Sequence, residues 1–264
     1  MGARGVLAAT VAGAAVGVLA VGAGRLVAGS VLPAVGVTLL VVLVGYVVAN
    51  VSGASGPGDF VRGLLIGLNT ALNVVLALAV YGALLGTPAG IALAAVLGTL
   101  NFLAAFDPVA NSEVFQGLLG WANWLLPMSW LVVALGLLFW VANLIGHAVG
   151  TWPFGSDFCR VRAVGADWKT GTFFMHGGWI SNLNYLHTAF NMGCFAFVDR
   201  ASGHWYIEHE AGHTLNLAAF GSLFHFVGAI DENVTGGHQN AYAERLAESN
   251  NPAPRWPNII PMWI

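Results

Sequence analysis

Trp205-Tyr206-Ile207-Glu208-His209-Glu210-Ala211-Gly212-His213-Thr214-Leu215-Asn216-Leu217-Ala218-Ala219 is the stretch whose reading decides the C-terminal architecture. It is compatible with one helix, and residues four apart on a helix share a face. His209 and His213 therefore point at one place, with Glu210 beside them. Two imidazoles on one face, with a carboxylate next to the first, are what metal-assisted hydrolysis needs. They supply two nitrogen ligands, an open coordination position and a general base. Gly212 is small where a neighbouring backbone must come close.

Most of the chain outside this stretch is apolar. Of 264 residues only 8% are charged, and the mean hydropathy is +0.75. A soluble domain carries about a quarter charged residues. The charges are unevenly spread. Residues 1–150 hold only Arg4, Arg25, Asp59, Arg62, Asp107 and Glu113, and residues 151–264 hold the remaining fifteen. This shift marks a boundary near Gly150-Thr151-Trp152-Pro153. It divides the chain into a transmembrane helical domain, 1–150, and a metal-binding domain, 151–264. The net charge of −3 gives no basic footprint for nucleic acid.

Four uncharged stretches, 5–24, 26–58, 63–106 and 114–156, fill the first part. A spanning helix needs roughly 20 apolar residues. The first stretch holds one helix. Arg4 ahead of it also fits a signal peptide, but its length and the spans that follow favour a retained helix. The second holds a helix centred on Val35–Val51. The third is long enough for two, with a break at Gly86-Thr87-Pro88. The fourth holds one, roughly Pro127–Val149, after an interfacial lead-in carrying Trp121 and Trp124. The count is five spans, with four or six also compatible. Abundant Gly and Ala suit close helix packing in lipid. The expected protein is thus an integral, multi-pass partner of the bilayer. Five spans with Arg4 and Arg62 inside put the C-terminal domain on the non-cytoplasmic side. There Cys159 and Cys194 are either a disulfide or two buried thiols.

The second part reads as a small α+β domain. Phe158–Val164 and Thr172–His176 are strand candidates around a turn at Asp167–Gly171, and Asn191–Asp199 is a third strand. The helix begins near Gly203–Tyr206 and carries His209 and His213. Two histidines alone rarely hold a catalytic zinc, so a third protein ligand is expected. Glu244 lies 31 residues after His213, in a stretch of strong helix formers that also holds Glu248. His225 sits among apolar neighbours and reads as a packed residue. His238 and Tyr242 are candidates for a hydrogen bond to the tetrahedral intermediate. His147, His176, His187 and His204 carry no spacing signal.

His209-Glu210-Ala211-Gly212-His213, followed by Glu244 on a second helix, resembles the gluzincin group of HExxH zinc metallopeptidases of the zincin type. In layout the chain is similar to membrane-anchored members such as the CAAX-processing and heat-shock membrane proteases. The resemblance covers roughly residues 172–250 and does not extend across the spans. It implies Zn²⁺ held by His209, His213 and Glu244, with Glu210 as the catalytic base. Glu248 would orient a zinc histidine, or be the ligand itself if the helix register differs. It also implies a zincin-like fold in which an edge strand holds a peptide or protein substrate in extended form. The metzincin extension is missing, since Asn216 and Ala219 stand where that pattern has other residues. The function expected is hydrolysis of peptide bonds at the membrane surface, with the site at or just above the interface. Leu217–Ile230 would then pack on the spans or dip into lipid. The alternative is a non-catalytic multi-pass protein whose C-terminal domain binds a structural metal or serves as an assembly or binding module. Against a transporter, the spans hold almost no ionisable residues.

Overall fold

The computed structural model describes residues 31–52, 56–151, 155–183, 189–201, 205–235, 241–249 and 259–262. The first expected span, with Arg4 and Arg25, lies outside these residues, as do His187, His204 and His238.

Long apolar runs without charge build the helical layer. Helix α1 runs Val31–Ser52, α2 Gly56–Leu85 and α3 Thr87–Leu103. The break between α2 and α3 falls where the sequence places it. Gly86 adopts φ 89°, and Pro88 starts the next helix, because it has no N–H to offer an earlier turn. Asp59 and Arg62 lie inside α2 rather than between helices, with Asp59 in the first turn, where a carboxylate favours the helix dipole. Helix α4 (Asp107–Ala110) and α5 (Glu113–Ala122) lead through a 3-10 turn, Pro127–Ser129, into α6, Trp130–Thr151.

Among the described residues, three helical segments are long and apolar enough to cross a membrane: Pro57–Leu85, Pro127–Thr151 and Tyr206–Val234. Thr38–Ser52 and Thr87–Leu103 are shorter apolar segments. Outward-facing leucine, isoleucine and valine side chains, such as Leu40, Val51, Leu84, Ile91, Leu138 and Ile145, are exposed, as a bilayer-facing surface requires. The motif helix is thus itself one of the three membrane-length helices.

The sheet is small and mixed. Strands β1 (Val161–Asp167) and β2 (Thr172–Gly177) form a hairpin. Helix α7 (Trp179–Leu183) follows, then β3 (Ala189–Met192) and β4 (Phe195–Val198). With β5 (Ile259–Met262) the order is β3-β4-β2-β1-β5. β2 and β4 are parallel, and the other pairs antiparallel. β1 starts three residues later than expected. The expected single strand Asn191–Asp199 is two strands, because Gly193 (φ 75°) turns the chain between them. There Gly193 packs so closely on α6 that a Cβ would lie 2.8 Å from Val133 Cα.

Helix α8, Trp205–Thr235, links the two layers, and α9, Tyr242–Ser249, returns along it. Ile207 packs under Phe174, Ala196 and Val198 on one face of the sheet. Trp140 of α6 covers the other face, where Phe195, Phe197 and Met175 lie. Farther on, Ala218, Phe220 and Phe224 join Tyr46, Ile66, Leu97 and Leu119 in the core of the helical layer.

α8 is broken at Gly221, with φ 82° and ψ 176°. A break frees carbonyls of the preceding turn, and away from water each must find another donor. Asn69 Nδ2 donates to the Ala218 and Ala219 carbonyls at 3.3 and 3.0 Å. Asn101 Nδ2 donates to the same two at 2.6 and 3.2 Å. Asparagines of α2 and α3 therefore hold the break open.

Candidate metal centre

The first half of α8 presents His209 and His213 on one face, as the four-residue spacing dictates. α9 brings Glu244 to meet them. His209 Nε2 lies 2.9 Å from Glu244 Oε2, His213 Nε2 lies 3.2 Å from Glu244 Oε1, and the two Nε2 atoms are 3.2 Å apart. One donor atom from each residue lies within 4.8 Å of the others. Tetrahedral ligands about 2.1 Å from zinc stand roughly 3.4 Å from one another, so the spacing fits a metal ion. The donor chemistry, two imidazoles and one carboxylate, also fits. This is a possible metal-binding cluster.

Glu248 meets His209 on its other ring nitrogen, away from the cluster. Its Oε1 lies 3.1 Å from His209 Nδ1. With an ion bound, a proton on Nδ1 donated to Glu248 would leave the Nε2 lone pair free for the metal. Glu244 is 3% exposed. Burial alone would raise its carboxyl, but hydrogen bonds from His209 and His213 outweigh burial and hold it well below the usual carboxylate range. Gly212 makes the approach of α9 possible, since a Cβ there would lie 2.4 Å from the Ala247 carbonyl oxygen.

A cavity of about 390 Å³ opens beside the cluster. Glu210, His213 and Glu244 line it on one side, and residues Ala189–Met192 of β3 on the other. β3 is one of the two edge strands of the sheet among the described residues. Asn191 ties it to α8: its Nδ2 donates to the Glu210 carbonyl at 2.9 Å and to Thr214 Oγ1 at 3.1 Å. Two buried acceptors in the lining, Glu210 Oε2 and Asn191 Oδ1, have no hydrogen-bond partner among the described residues. Leaving such atoms unpaired is costly, so they are sites for donors that a ligand or water brings.

His225, read from its flanks as a packed residue, also lines the cavity. Its Nε2 lies 3.2 Å from the Asn191 carbonyl oxygen, and its ring centroid is 6.3 Å from that of His213. Twelve residues of straight helix would separate their backbones by about 18 Å. The break at Gly221 brings them together. Gly221, a glycine within a helical stretch, marks a place for a break but not its sharpness or what it brings together.

Tyr242 and the two cysteines lie apart from the cluster. Tyr242 does not line the cavity. It is buried against Tyr46, with ring centroids 5.6 Å apart, because the first turn of α9 packs on α1. Cys159 and Cys194 are both free. Cys194 is buried in the β3–β4 turn beside α6, and burial pushes its thiol well above the usual range. Cys159 instead packs against Gly150 at the end of α6. His147 accepts a hydrogen bond from the Val161 N–H at 3.0 Å and is structural.

Comparison with protein-family models, with curated proteins and with solved structures finds no match.

Proposed function

We propose that the protein is a membrane-embedded zinc metallopeptidase of the gluzincin type, cleaving peptide bonds of substrates met at the membrane. The observation that carries this reading is the convergence of His209, His213 and Glu244 beside the unpartnered Glu210 Oε2, in a cavity walled by an edge strand. His209, His213 and Glu244 would hold the ion, and Glu248 would orient His209. Zinc bound there supplies Lewis acidity, which polarises a peptide carbonyl and acidifies water.

The remaining work falls to the chain's own groups. Glu210 Oε2 accepts a proton from the attacking water and passes it to the leaving nitrogen. Asn191 Oδ1 accepts a hydrogen bond from the N–H of that nitrogen. β3 aligns an extended substrate by backbone pairing. The apolar walls at Phe190, Met192 and Phe226 select hydrophobic segments.

The test uses the purified full chain in detergent, with zinc measured by elemental analysis and cleavage of an unstructured apolar peptide followed by mass spectrometry. The expected result is one zinc per chain and cleavage by the wild type. Glu210→Gln should keep the zinc and lose hydrolysis, and His213→Ala should lose both. Full activity in Glu210→Gln would sink the catalytic assignment. Absence of bound zinc in the wild type would leave a structural or assembly role for this domain.

A further inference from the structure

We infer that Tyr46, on the apolar helix α1, is a positioning residue for the metal ligand Glu244, so that the helical layer sets the affinity of the metal centre. The inference rests on the proposed metal reading. α9 begins at Tyr242, two residues before Glu244. The first N–H groups of a helix have no partner within it. Here they are buried, with Tyr242 6% and Ala243 5% exposed, so they must be satisfied from outside.

Two side chains from different helices do this. The Tyr242 N–H donates to Asp231 Oδ2 at 3.0 Å. The Ala243 N–H donates to the Tyr46 hydroxyl at 3.0 Å. The Tyr46 hydroxyl in turn donates to the same Asp231 oxygen at 2.6 Å. The hydroxyl is thus acceptor for α9 and donor to its other anchor. It cannot shift easily, because Tyr46 is 2% exposed and its ring packs on Phe224 at 5.1 Å. Beside the same hydroxyl, Gly228 lets α9 lie close, since a Cβ there would meet Ala243 Cβ at 2.6 Å and the Tyr46 hydroxyl at 4.0 Å. The next residue along is Glu244. Removing the hydroxyl takes the acceptor from the Ala243 N–H and one of its donors from Asp231 Oδ2, and the segment carrying Glu244 loses an anchor. The histidines, on the other half of α8, keep theirs.

The experiment compares Zn²⁺ and Co²⁺ dissociation constants, by chelator competition, for the full-length protein in detergent. Tyr46→Phe should weaken binding about tenfold, the lower end of the effect of removing a group that supports a ligand. The Co²⁺ absorption bands should shift as the carboxylate ligand loosens. Tyr81→Phe is the control: its hydroxyl is also buried and donates to the Leu125 carbonyl at 2.7 Å, yet it touches no ligand. It should leave affinity unchanged whatever it does to stability. In a Glu244→Ala background, Tyr46→Phe should have no further effect on affinity, since coupled residues are not additive. If Tyr46→Phe does not accumulate, Asp231→Asn takes its place with the same expectations. Wild-type affinity in Tyr46→Phe, or an undiminished effect in the Glu244→Ala background, overturns the positioning role while leaving the metal centre standing. A wild type that binds neither ion overturns both.

Discussion

Asn191 carries more of the site than its place in an apolar strand suggests. Its side-chain nitrogen grips the first half of α8, and its carbonyl lies at His225 on the second half. Its Oδ1 is buried in the cavity lining with no hydrogen-bond partner among the described residues. If that oxygen holds the leaving nitrogen, Asn191→Ala should lower kcat about 10²-fold, the scale of one well-placed transition-state hydrogen bond. Zinc content should be unchanged, because no ligand is touched. A KM increase with normal kcat would instead assign Asn191 to substrate alignment alone. The sequence shows the residues of the possible metal cluster far better than it shows this residue. His209, Glu210 and His213 are bound together by helix periodicity, and Glu244 and Glu248 by their spacing on a second helix. Asn191 and His225 reach the site only through tertiary contacts across a broken helix, which no local pattern encodes. Tyr242, a candidate two residues before Glu244, packs elsewhere. Two helical steps, about 200° in all, turn its side chain away from that of Glu244 and toward α1.

At the scale of elements, the centre depends on how closely two helices approach. α9 lies against α8 at Gly212, where even a methyl group would come within 2.4 Å of a backbone oxygen. Backbone cannot step aside as a flexible side chain can. Gly212→Ala should therefore push α9 outward, carry Glu244 away from the histidines and reduce bound zinc in proportion. The lost packing should cost about 1–3 kcal/mol. Chemical denaturation and elemental analysis of the same preparation check both effects, and a variant with normal zinc would show that α9 has slack. The apolar helices and the Gly86 break were legible because length, charge and Gly-Pro chemistry are local. The split of β3 from β4 was not, because Phe195-Ala196-Phe197-Val198 continues the apolar run past Gly193. The sharp break in α8 was also hidden. Its donors, Asn69 and Asn101, lie more than a hundred residues away in the chain, at sequence separations of 149 and 117 from Ala218.

Across the whole molecule, α8 is the element common to both layers. Its start packs on the sheet, and its later part is enclosed by α1, α2, α3 and α5. A charge-poor first part and a charge-rich second part suggested a boundary near residue 150, yet the apolar core of the helical layer includes Ala218, Phe224 and Leu246 from beyond it. An ion shared by His209, His213 and Glu244 would cross-link α8 to α9, and α9 to α1 through Tyr46 and Asp231. Metal binding should then stabilise both layers together rather than the C-terminal region alone. A ligand present at about 100 times its Kd adds about 2.7 kcal/mol to the native state. For a chain of this size that raises Tm by roughly 5–10 °C. Two probes can report it. Trp130 belongs to the helical layer, where its ring meets Tyr81, and Trp140 reports the sheet, where its ring meets Phe195. In single-tryptophan reporters at those positions, zinc should raise both midpoints by the same amount, and EDTA should return both. Glu244→Ala should abolish the rise at both. A zinc-dependent rise confined to Trp140 would mean that the metal braces the sheet side alone and that the coupling through α9 and Tyr46 is absent.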